Sequence, residues 1–301
     1  MKVAVFGSSG FIGKNVVTSL QKICKVYEIS LRNSCWVNDV EVDTKVFLNL
    51  VGKAHDHDKI ATKEDFFHVN FDFVKDIFKA FINSDANLFI HISSIAAVEE
   101  FESKSPLTEE NVCRPYSWYG KSKREAELWL MKQNLPEGKK MIILRPPMVH
   151  GEGDKGNLLL LYRLISKGIP YPLASFQNRR SFVSIENFCF FIKEIINRPD
   201  SLSNRIYHIS DDDLVSTNEI INIIKQVTKK NTLDVSLPKV LVKTLAKIGD
   251  FLPIPLNSIR LKKMTSDFIV SNQKIKSELG IGKLPLTAKE GLIKTIKNIK
   301  L

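Results

Sequence analysis

Apolar and polar positions along the first half of the chain follow two periods. Continuous apolar runs at residues 2–6, 25–31, 44–51, 88–92 and 141–144 are typical of strands buried on both faces of a parallel sheet. Between most of them, apolar residues recur every three or four positions, as at residues 16–20 and 71–81, which predicts amphipathic helices. The segment between the second and third runs is short, so its helix is expected to be missing or vestigial. The alternation predicts an α/β protein with a Rossmann-like, doubly wound parallel sheet.

The pattern changes after Gly151, where loops and helices dominate. We expect helices at residues 158–166, 188–196 and 288–299 and one more strand at 205–209. Ser216 and Glu219 have the spacing of a capping box, which predicts a helix that runs to about Lys229. We therefore predict a nucleotide-binding domain at residues 1–150, to which residues 188–209 return, and a smaller, mostly helical substrate domain at 151–301.

Composition narrows the class of protein. Hydrophobic residues make up 44% and charged residues 26% of the 301 positions, as in ordinary globular proteins. No apolar run reaches the roughly 18 residues that a membrane span needs. The four cysteines have no metal-ligand spacing, which predicts a cytoplasmic protein without disulfides. The net charge of +11 is spread along the chain without a nucleic-acid motif, so an anionic small substrate explains it better than nucleic acid.

A glycine-rich loop follows the first strand and opens a helix. Glycine permits a tight turn and a close approach of the backbone to a pyrophosphate, while the N–H groups that open the helix face the anion. The G-x-x-G-x-x-G spacing differs from the commoner G-x-G-x-x-G, but its place after an N-terminal strand favours dinucleotide binding over an ordinary turn. The contacts predicted here are Gly7, Ser9, Gly10, Phe11, Ile12 and Gly13.

The end of the second strand selects the cofactor in dinucleotide-binding folds. An acid there bonds the ribose 2′-hydroxyl of NAD, whereas a nearby arginine accommodates the 2′-phosphate of NADP. Here Ser30, Leu31 and Arg32 stand at the predicted strand end, and Glu28 lies within the strand. We therefore expect NADP(H) to be favoured, with NAD(H) as the alternative if Glu28 ends the strand.

Catalytic chemistry is indicated between the fourth and fifth strands. Ser93 and Ser94 end a strand, and Tyr119 and Lys123 follow with the spacing that places them on one face of a helix. This Tyr-x-x-x-Lys pair behind the glycine loop resembles the extended short-chain dehydrogenase/reductases, specifically the nucleotide-sugar epimerase/dehydratase/reductase group. Further segments similar to that group are residues 49–52, 107–110, 144–151, 156–158 and 180–183, so the resemblance runs nearly end to end.

The resemblance implies roles for residues that the patterns alone do not assign. Catalysis would involve Ser94, Tyr119 and Lys123, with the lysine also holding the nicotinamide ribose. The remaining cofactor contacts would be Leu50, Val51, Gly52, Asn70 and Pro146, with Asn70 heading the helix of residues 71–81. The diphosphate and nucleotide of a UDP-sugar substrate would contact Asn157 and Arg180, with Arg260 as a second candidate. The resemblance further implies a homodimer.

One segment departs from the family pattern. The family reads Ser-Ser-x-x-Val-Tyr-Gly, whereas residues 93–99 read Ser-Ser-Ile-Ala-Ala-Val-Glu. Aligning Ala97 with the family valine makes Ser94 the catalytic hydroxyl, whereas aligning Val98 would place Ile95 there, and isoleucine cannot hydrogen-bond. Ile95 and Ala96 also lack the acid–base groups that 4,6-dehydratases carry, and the cysteine of the fucose-synthase type is absent. With these reactions excluded, the reaction we expect is oxidation or reduction at one sugar carbon, C4.

The charge of Lys123 is expected to lower the pKa of Tyr119 and so activate it for proton transfer. An ammonium at ~4 Å and an effective dielectric of ~20 favours a phenolate by up to ~4 kcal/mol, and the cationic nicotinamide of the oxidised cofactor acts in the same direction. Together they would bring the Tyr119 pKa from ~10 to near ~7. Two enzymes are compatible with this site: a reductase of a UDP-4-keto-sugar, such as a 6-deoxy-N-acetylhexosamine, and a UDP-hexose or UDP-N-acetylhexosamine 4-epimerase with bound NAD. A cofactor-sensing regulatory protein is disfavoured because both Tyr119 and Lys123 are present.

Two further patterns have ordinary explanations beside functional ones. The triplet His55-Asp56-His57 lacks the rest of a metal-ligand set and is interpreted as an exposed loop, so no metal is expected. In residues 238–254, lysines at 239, 243 and 247 recur every four positions beside apolar residues. A helix packed on the substrate domain explains this pattern, and an interfacial helix on an anionic membrane is the alternative.

Overall fold

The computed structural model describes residues 1–54, 60–154, 156–171, 173, 175–230, 235, 237–252 and 257–299. The strands and helices are, in chain order, β1 (Lys2–Phe6), α1 (Phe11–Leu20), β2 (Lys25–Ile29), β3 (Val46–Asn49), α2 (Lys63–Phe67), α3 (Phe73–Ile82), β4 (Leu88–Ile92), α4 (Trp118–Met131), β5 (Lys140–Arg145), β6 (Met148–His150), α5 (Asn157–Ser166), β7 (Phe182–Ser184), α6 (Ile185–Asn197), β8 (Ile206–His208), α7 (Thr217–Thr228), α8 (Lys239–Ile248), α9 (Ser258–Thr265), α10 (Gln273–Leu279) and α11 (Ala288–Lys297). Within these ranges, no helix combines the length and apolar character needed to cross a bilayer.

Six strands form one parallel sheet in the order β2-β1-β3-β4-β5-β8. Successive side chains of a strand point to opposite faces, so Val3 and Val5 enter one apolar cluster with α1 and α6, while Ala4 and Phe6 enter another with α3 and α4. Both faces are therefore covered, which explains the continuous apolar runs. The predicted doubly wound α/β fold is confirmed.

The connection between β2 and β3 agrees with the prediction from the sequence, whereas the start of the helix that leads into α3 differs from it. A 3₁₀ turn at Trp36–Asp39 replaces a helix between β2 and β3, as expected. Asn70, however, does not head a helix. The helix begins earlier, at the capping box of Thr62 and Asp65, and continues into α3 through a π-helical turn at His68–Asp72. Asn70 lies within that turn, so the predicted start was wrong.

Much of the chain after β6 forms a third apolar cluster. Side chains from α5, α7, α8 and α11 share it, and β6 pairs with β7 in a separate parallel ribbon. The capping box of Ser216 and Glu219 opens α7 as predicted. Helix α6 and strand β8 instead pack on the large sheet, where β8 pairs with β5. The boundary at residue 150 stays a prediction.

Candidate active site

The glycine-rich loop packs tightly against the end of β3. Gly7 has a φ of +82°, and a Cβ on it would lie 2.9 Å from the carbonyl carbon of Leu50. A Cβ on Gly13 would lie 2.3 Å from the Gly7 carbonyl oxygen, so both positions require glycine. Gly10 precedes α1 without a side-chain cap, and the first turn of α1 carries no acid. These features fit a pyrophosphate, because the N–H groups at the start of α1 keep their capacity to bind an anion.

The neighbouring cofactor candidates surround this loop. Ser9 is exposed, whereas Phe11 and Ile12 are half-buried and pack against the first apolar cluster. The Phe11 ring lies over the loop after β6, where a Cβ on Gly151 would come within 3.3 Å of it. The backbone N–H of Ile95 donates to the Pro146 carbonyl at 2.9 Å, which fixes Pro146 beside the segment that carries Ser94.

Lys123 is held at the carboxyl ends of β3 and β4. Its Nζ donates to the carbonyls of Ile92 at 2.9 Å and Val51 at 3.2 Å, and its side chain is buried. A Cβ on Gly52 would lie 3.0 Å from this Nζ. Burial lowers the pKa of Lys123 to about 8, although the nearby Glu127 carboxylate opposes this shift. The lysine is thus a hydrogen-bond donor fixed at the carboxyl ends of the strands, where parallel α/β folds bind ligands.

Asn70 links the β3 loop to α4. Its Oδ1 accepts from the Lys53 N–H at 2.8 Å, and its Nδ2 donates to Ser122 Oγ at 2.9 Å. Ser122 in turn donates to the Tyr119 carbonyl at 2.9 Å. Asn70 is fully buried, so it supports the loop and helix that carry the cofactor candidates, through contacts that its position in the sequence did not reveal.

Ser94 and Tyr119 lie close together, and the Ser94 hydroxyl lowers the pKa of the Tyr119 phenol. Ser94 adopts an extended backbone conformation at the start of a 3₁₀ turn and accepts the Ala96 N–H at 3.2 Å. Tyr119 lies in the first turn of α4, one turn before Lys123. The three residues predicted to act together therefore share one region of the molecule.

The acidity of Tyr119 differs from the expectation. Burial raises its pKa, the neighbouring Ser94 hydroxyl opposes this, and the charge of Glu100 raises it further. Lys123 does not lower it, because Nζ is directed to the carbonyls of Val51 and Ile92. The expected pKa near ~7 is thus wrong for the chain alone, and the phenol keeps its proton at neutral pH.

Glu100 fixes the start of α4 from outside the helix. Its Oε1 accepts from the N–H groups of Tyr116 at 3.0 Å and Ser117 at 2.7 Å and from the Ser117 hydroxyl at 2.9 Å. Ser117 itself caps Gly120, whose Cβ would lie 2.6 Å from the same oxygen. A carboxylate at a helix N-terminus is favourable, so Glu100 stabilises the turn that presents Tyr119.

A buried ionic network lies beneath Lys123, and sequence reasoning missed it. Glu127 is completely buried and accepts from Arg145 Nε at 2.7 Å, from Arg145 Nη2 at 2.6 Å and from Ser93 Oγ at 2.6 Å. Arg145 also lies 3.4 Å from His208 Nε2. The sequence did contain an indication of this network, because an arginine ends an apolar strand and a glutamate stands one turn after Lys123.

The three candidates for substrate binding are placed differently. Arg180 is half-buried; its Nη1 donates to the carbonyls of Lys263 at 2.8 Å and Ser266 at 3.2 Å, and burial lowers its pKa to about 10. Lys263 forms an ion pair with Glu100 at 3.7 Å, which links Arg180 to the start of α4. Arg260 is exposed in the first turn of α9. Asn157 begins α5, and its side chain lies outside the described residues.

The last residue of β2 is not an acid. The strand ends at the buried Ile29, two residues earlier than predicted, and the exposed Glu28 precedes that end. Ser30 follows it, and Arg32 is exposed in the next turn. The role of Arg32 toward a cofactor remains a prediction.

No group of three or more His, Cys, Asp or Glu side chains that could hold a metal occurs in the part of the chain that the structure describes. The triplet His55-Asp56-His57 lies outside that part.

Comparison with known proteins agrees with this geometry. The family model described as "NAD dependent epimerase/dehydratase family" matches residues 3–210. The chain is 30% identical to a UDP-glucose 4-epimerase of Vibrio cholerae over 97% of this chain and 94% of that protein. It is 22% identical to an N-acetyl-alpha-D-glucosaminyl-diphospho-ditrans,octacis-undecaprenol 4-epimerase of Escherichia coli O157:H7 over 98% and 94%. A solved dTDP-4-dehydrorhamnose reductase from Clostridium acetobutylicum shares the fold with a TM-score of 0.75 at 19% identity, over 98% of each chain.

Proposed function

Because the chain belongs to the NAD dependent epimerase/dehydratase family, we propose that it reduces the C4 ketone of a UDP-4-keto-sugar, such as a UDP-4-keto-6-deoxy-N-acetylhexosamine, with NADPH. The observation that carries this proposal is the neighbouring hydroxyl groups of Ser94 and Tyr119, one helical turn from the buried Lys123 that is fixed by the Ile92 and Val51 carbonyls. A ketone reduction needs a proton donor, and the raised pKa of Tyr119 keeps its proton available.

Each residue of the candidate site has a separate role in the proposed ketone reduction. The reduced nicotinamide, when bound, supplies a hydride to C4. Tyr119 then gives its phenolic proton to the ketone oxygen as the C–O double bond becomes an alcohol. Ser94 orients that oxygen, and Lys123 holds the nicotinamide ribose from the edge of β3 and β4. Arg180 and Asn157 hold the diphosphate and its nucleotide, with Arg260 as a second cation.

A 4-epimerase is the second candidate. The Vibrio cholerae relative, which is 30% identical over almost the whole chain, carries that name and favours this activity. An epimerase would use the same Ser94, Tyr119 and Lys123 but would retain NAD and need no added reductant. The Escherichia coli relative is named for a lipid-linked sugar diphosphate, so such a sugar belongs among the substrates to be tested.

A substrate panel distinguishes these activities. Purified protein is incubated with UDP-4-keto-sugars, UDP-hexoses and a lipid-linked sugar diphosphate, each with NADPH, with NADH and without added cofactor. We expect oxidation of NADPH with a UDP-4-keto-sugar. Interconversion of two sugars without added cofactor, together with NAD retained through purification, would favour the epimerase, and no turnover of any sugar would contradict both.

The role of Tyr119 is tested in the same assay. Tyr119→Phe removes the proton donor and should lower turnover by roughly 10²-fold or more while sugar binding stays nearly unchanged. The control is Tyr116→Phe, since Tyr116 is 58% exposed and precedes α4. Equal turnover of the Tyr119 variant and the wild type would refute the assignment.

A further inference from the structure

Helix α8 contacts the rest of the molecule through very little of its surface. Only Val242 and Ala246 are buried among its ten residues, and they join the cluster shared with α5, α7 and α11. These two positions are four apart, so they form a single narrow row on the helix. The packed row leaves most of the helix surface facing outward.

The outward surface of α8 is apolar over a wide arc. At about 100° per residue, Leu241, Leu245 and Ile248 lie within roughly 60° of one another, and Val240 extends this arc. The chain after Ile248 continues with a helical turn, since Leu252 N–H donates to the Ile248 carbonyl at 3.0 Å. We define the α8 face as the exposed apolar residues Val240, Leu241, Leu245, Ile248, Phe251 and Leu252.

The exposure of this face is too large for an ordinary surface. Phe251 is 90% exposed, Val240 77% and Leu252 55%. Single exposed apolar residues are normal, but a contiguous group of six on one short segment marks an interaction site. Leu241, Leu245 and Ile248 keep 40–47% of their surface exposed, so the fold covers the α8 face only in part.

A row of lysines borders the α8 face. Lys239, Lys243 and Lys247 are each exposed and follow at intervals of four, so they line one side of the helix. Lys247 lies next to Val240 and Phe251 around the helix, roughly 20–40° away, while Lys239 Nζ lies 5.7 Å from the centre of the Phe176 ring. The apolar arc is therefore bounded by cations on one side and by the packed row on the other.

The positive charge of this lysine row determines which kind of partner the α8 face can bind. A second copy of the chain would bring a like row of lysines and a further net charge of +11, which opposes association. We propose that the α8 face docks on a bilayer that contains anionic phospholipids, with its apolar side chains in the interface and its lysines at the headgroups. A helix of this type lies in the membrane plane and does not span it. The proposal does not depend on which sugar the enzyme converts.

Vesicle co-sedimentation tests the proposal. The full chain is mixed with vesicles of phosphatidylcholine alone or with phosphatidylglycerol, at low and high salt. We expect binding only to the anionic vesicles, weakened by salt. Replacing Lys239, Lys243 and Lys247 by Gln should weaken binding about 100-fold, as follows from about 1 kcal/mol for each lysine near an anionic surface.

Two further variants make the test specific to α8. Leu241→Ser with Phe251→Ser should abolish binding without altering the fold, since both side chains are exposed. The matched control replaces the exposed lysines Lys22, Lys132 and Lys297 by Gln, which removes the same charge elsewhere and should leave binding nearly unchanged.

Four outcomes would overturn the proposal. They are the absence of binding to anionic vesicles, equal binding to phosphatidylcholine, equal loss in the control variant, and unchanged binding of the serine variant. Light scattering adds a fifth, since a dimer that the serine substitutions dissociate would make a second copy the occupant.

Discussion

Replacing Glu127 by Gln tests whether the buried ionic network supports the active site. The substitution keeps the shape of the side chain but removes its charge and turns one acceptor oxygen into an N–H donor. The carboxylate accepts four hydrogen bonds: two from Arg145, one from Ser93 and one from Arg124. An amide in this place must direct its N–H group at one of these donors.

The cost follows from the burial of both partners. The side chains of Arg145 and Glu127 are 1% and 0% exposed, so Arg145 would keep its charge without a partner. Breaking such a buried pair costs about 3–5 kcal/mol, a large fraction of the stability of an ordinary domain. We therefore expect the free energy of unfolding of Glu127→Gln to fall by that amount. In the double variant with Arg145→Met, the loss should be smaller than the sum of the two single losses.

Urea denaturation followed by tryptophan fluorescence measures this loss, because Trp129 lies in the same helix as Glu127 and packs against Phe78 of α3. The control is Glu125→Gln, an exposed position on the same helix, which should change stability by less than about 0.5 kcal/mol. The pH profile of turnover gives a second readout. Glu127 raises the pKa of Lys123, so its loss should move the alkaline limb to lower pH. Stability of Glu127→Gln within about 1 kcal/mol of wild type, with an unmoved alkaline limb, would refute the reasoning.

Three further perturbations test the loop, the cofactor and the buried histidine. Gly13→Ala places a Cβ 2.3 Å from a backbone oxygen and should destabilise the protein by about 1–3 kcal/mol in urea denaturation, whereas Gly282→Ala, with open space around it, should not. Arg32→Ala should weaken NADPH binding by roughly 10- to 150-fold in isothermal titration and leave NADH binding unchanged; tighter binding of NADH by the wild type would contradict this. Burial lowers the pKa of His208 to about 3, so the unfolded chain takes up its proton first as pH falls below 6.5. Between pH 6.5 and 5, wild type should lose about 1.7 kcal/mol more than His208→Gln, and equal losses would contradict this.

Local patterns predicted the elements of the sheet but not how their ends are built. The apolar runs identify β1, β3, β4 and β5 because both faces of these strands are buried, whereas the edge strand β2 is only partly buried. Strands β6 and β7 have three residues each, too few for any period to be visible. The π-helical turn around Asn70 depends on contacts with Lys53 and Ser122, which lie 17 and 52 positions away. No local pattern encodes such a turn.

The candidate site was predictable where its chemistry is local. The spacing of Tyr119 and Lys123 places them on one face of α4, and the glycine spacing marks the loop before α1. The acidity of Tyr119 was not predictable, because it depends on where the Lys123 ammonium points within the folded chain. The same holds for Arg180, whose carbonyl partners are 83 and 86 positions away.

The segment after Ser94 narrows the chemistry in a way that joins sequence and structure. Ile95 is buried and packs with Val98, Leu107, Phe268 and Val270. Because the residue at position 95 is a buried isoleucine, no carboxylate or thiol is available there to exchange protons with a substrate. Elimination of water, and the cysteine-dependent chemistry of the fucose-synthase type, each need such a group beside the sugar. Oxidation or reduction at a single carbon needs only the hydroxyl pair and a hydride carrier, and the apolar turn after Ser94 therefore supports a reductase or a 4-epimerase rather than a dehydratase.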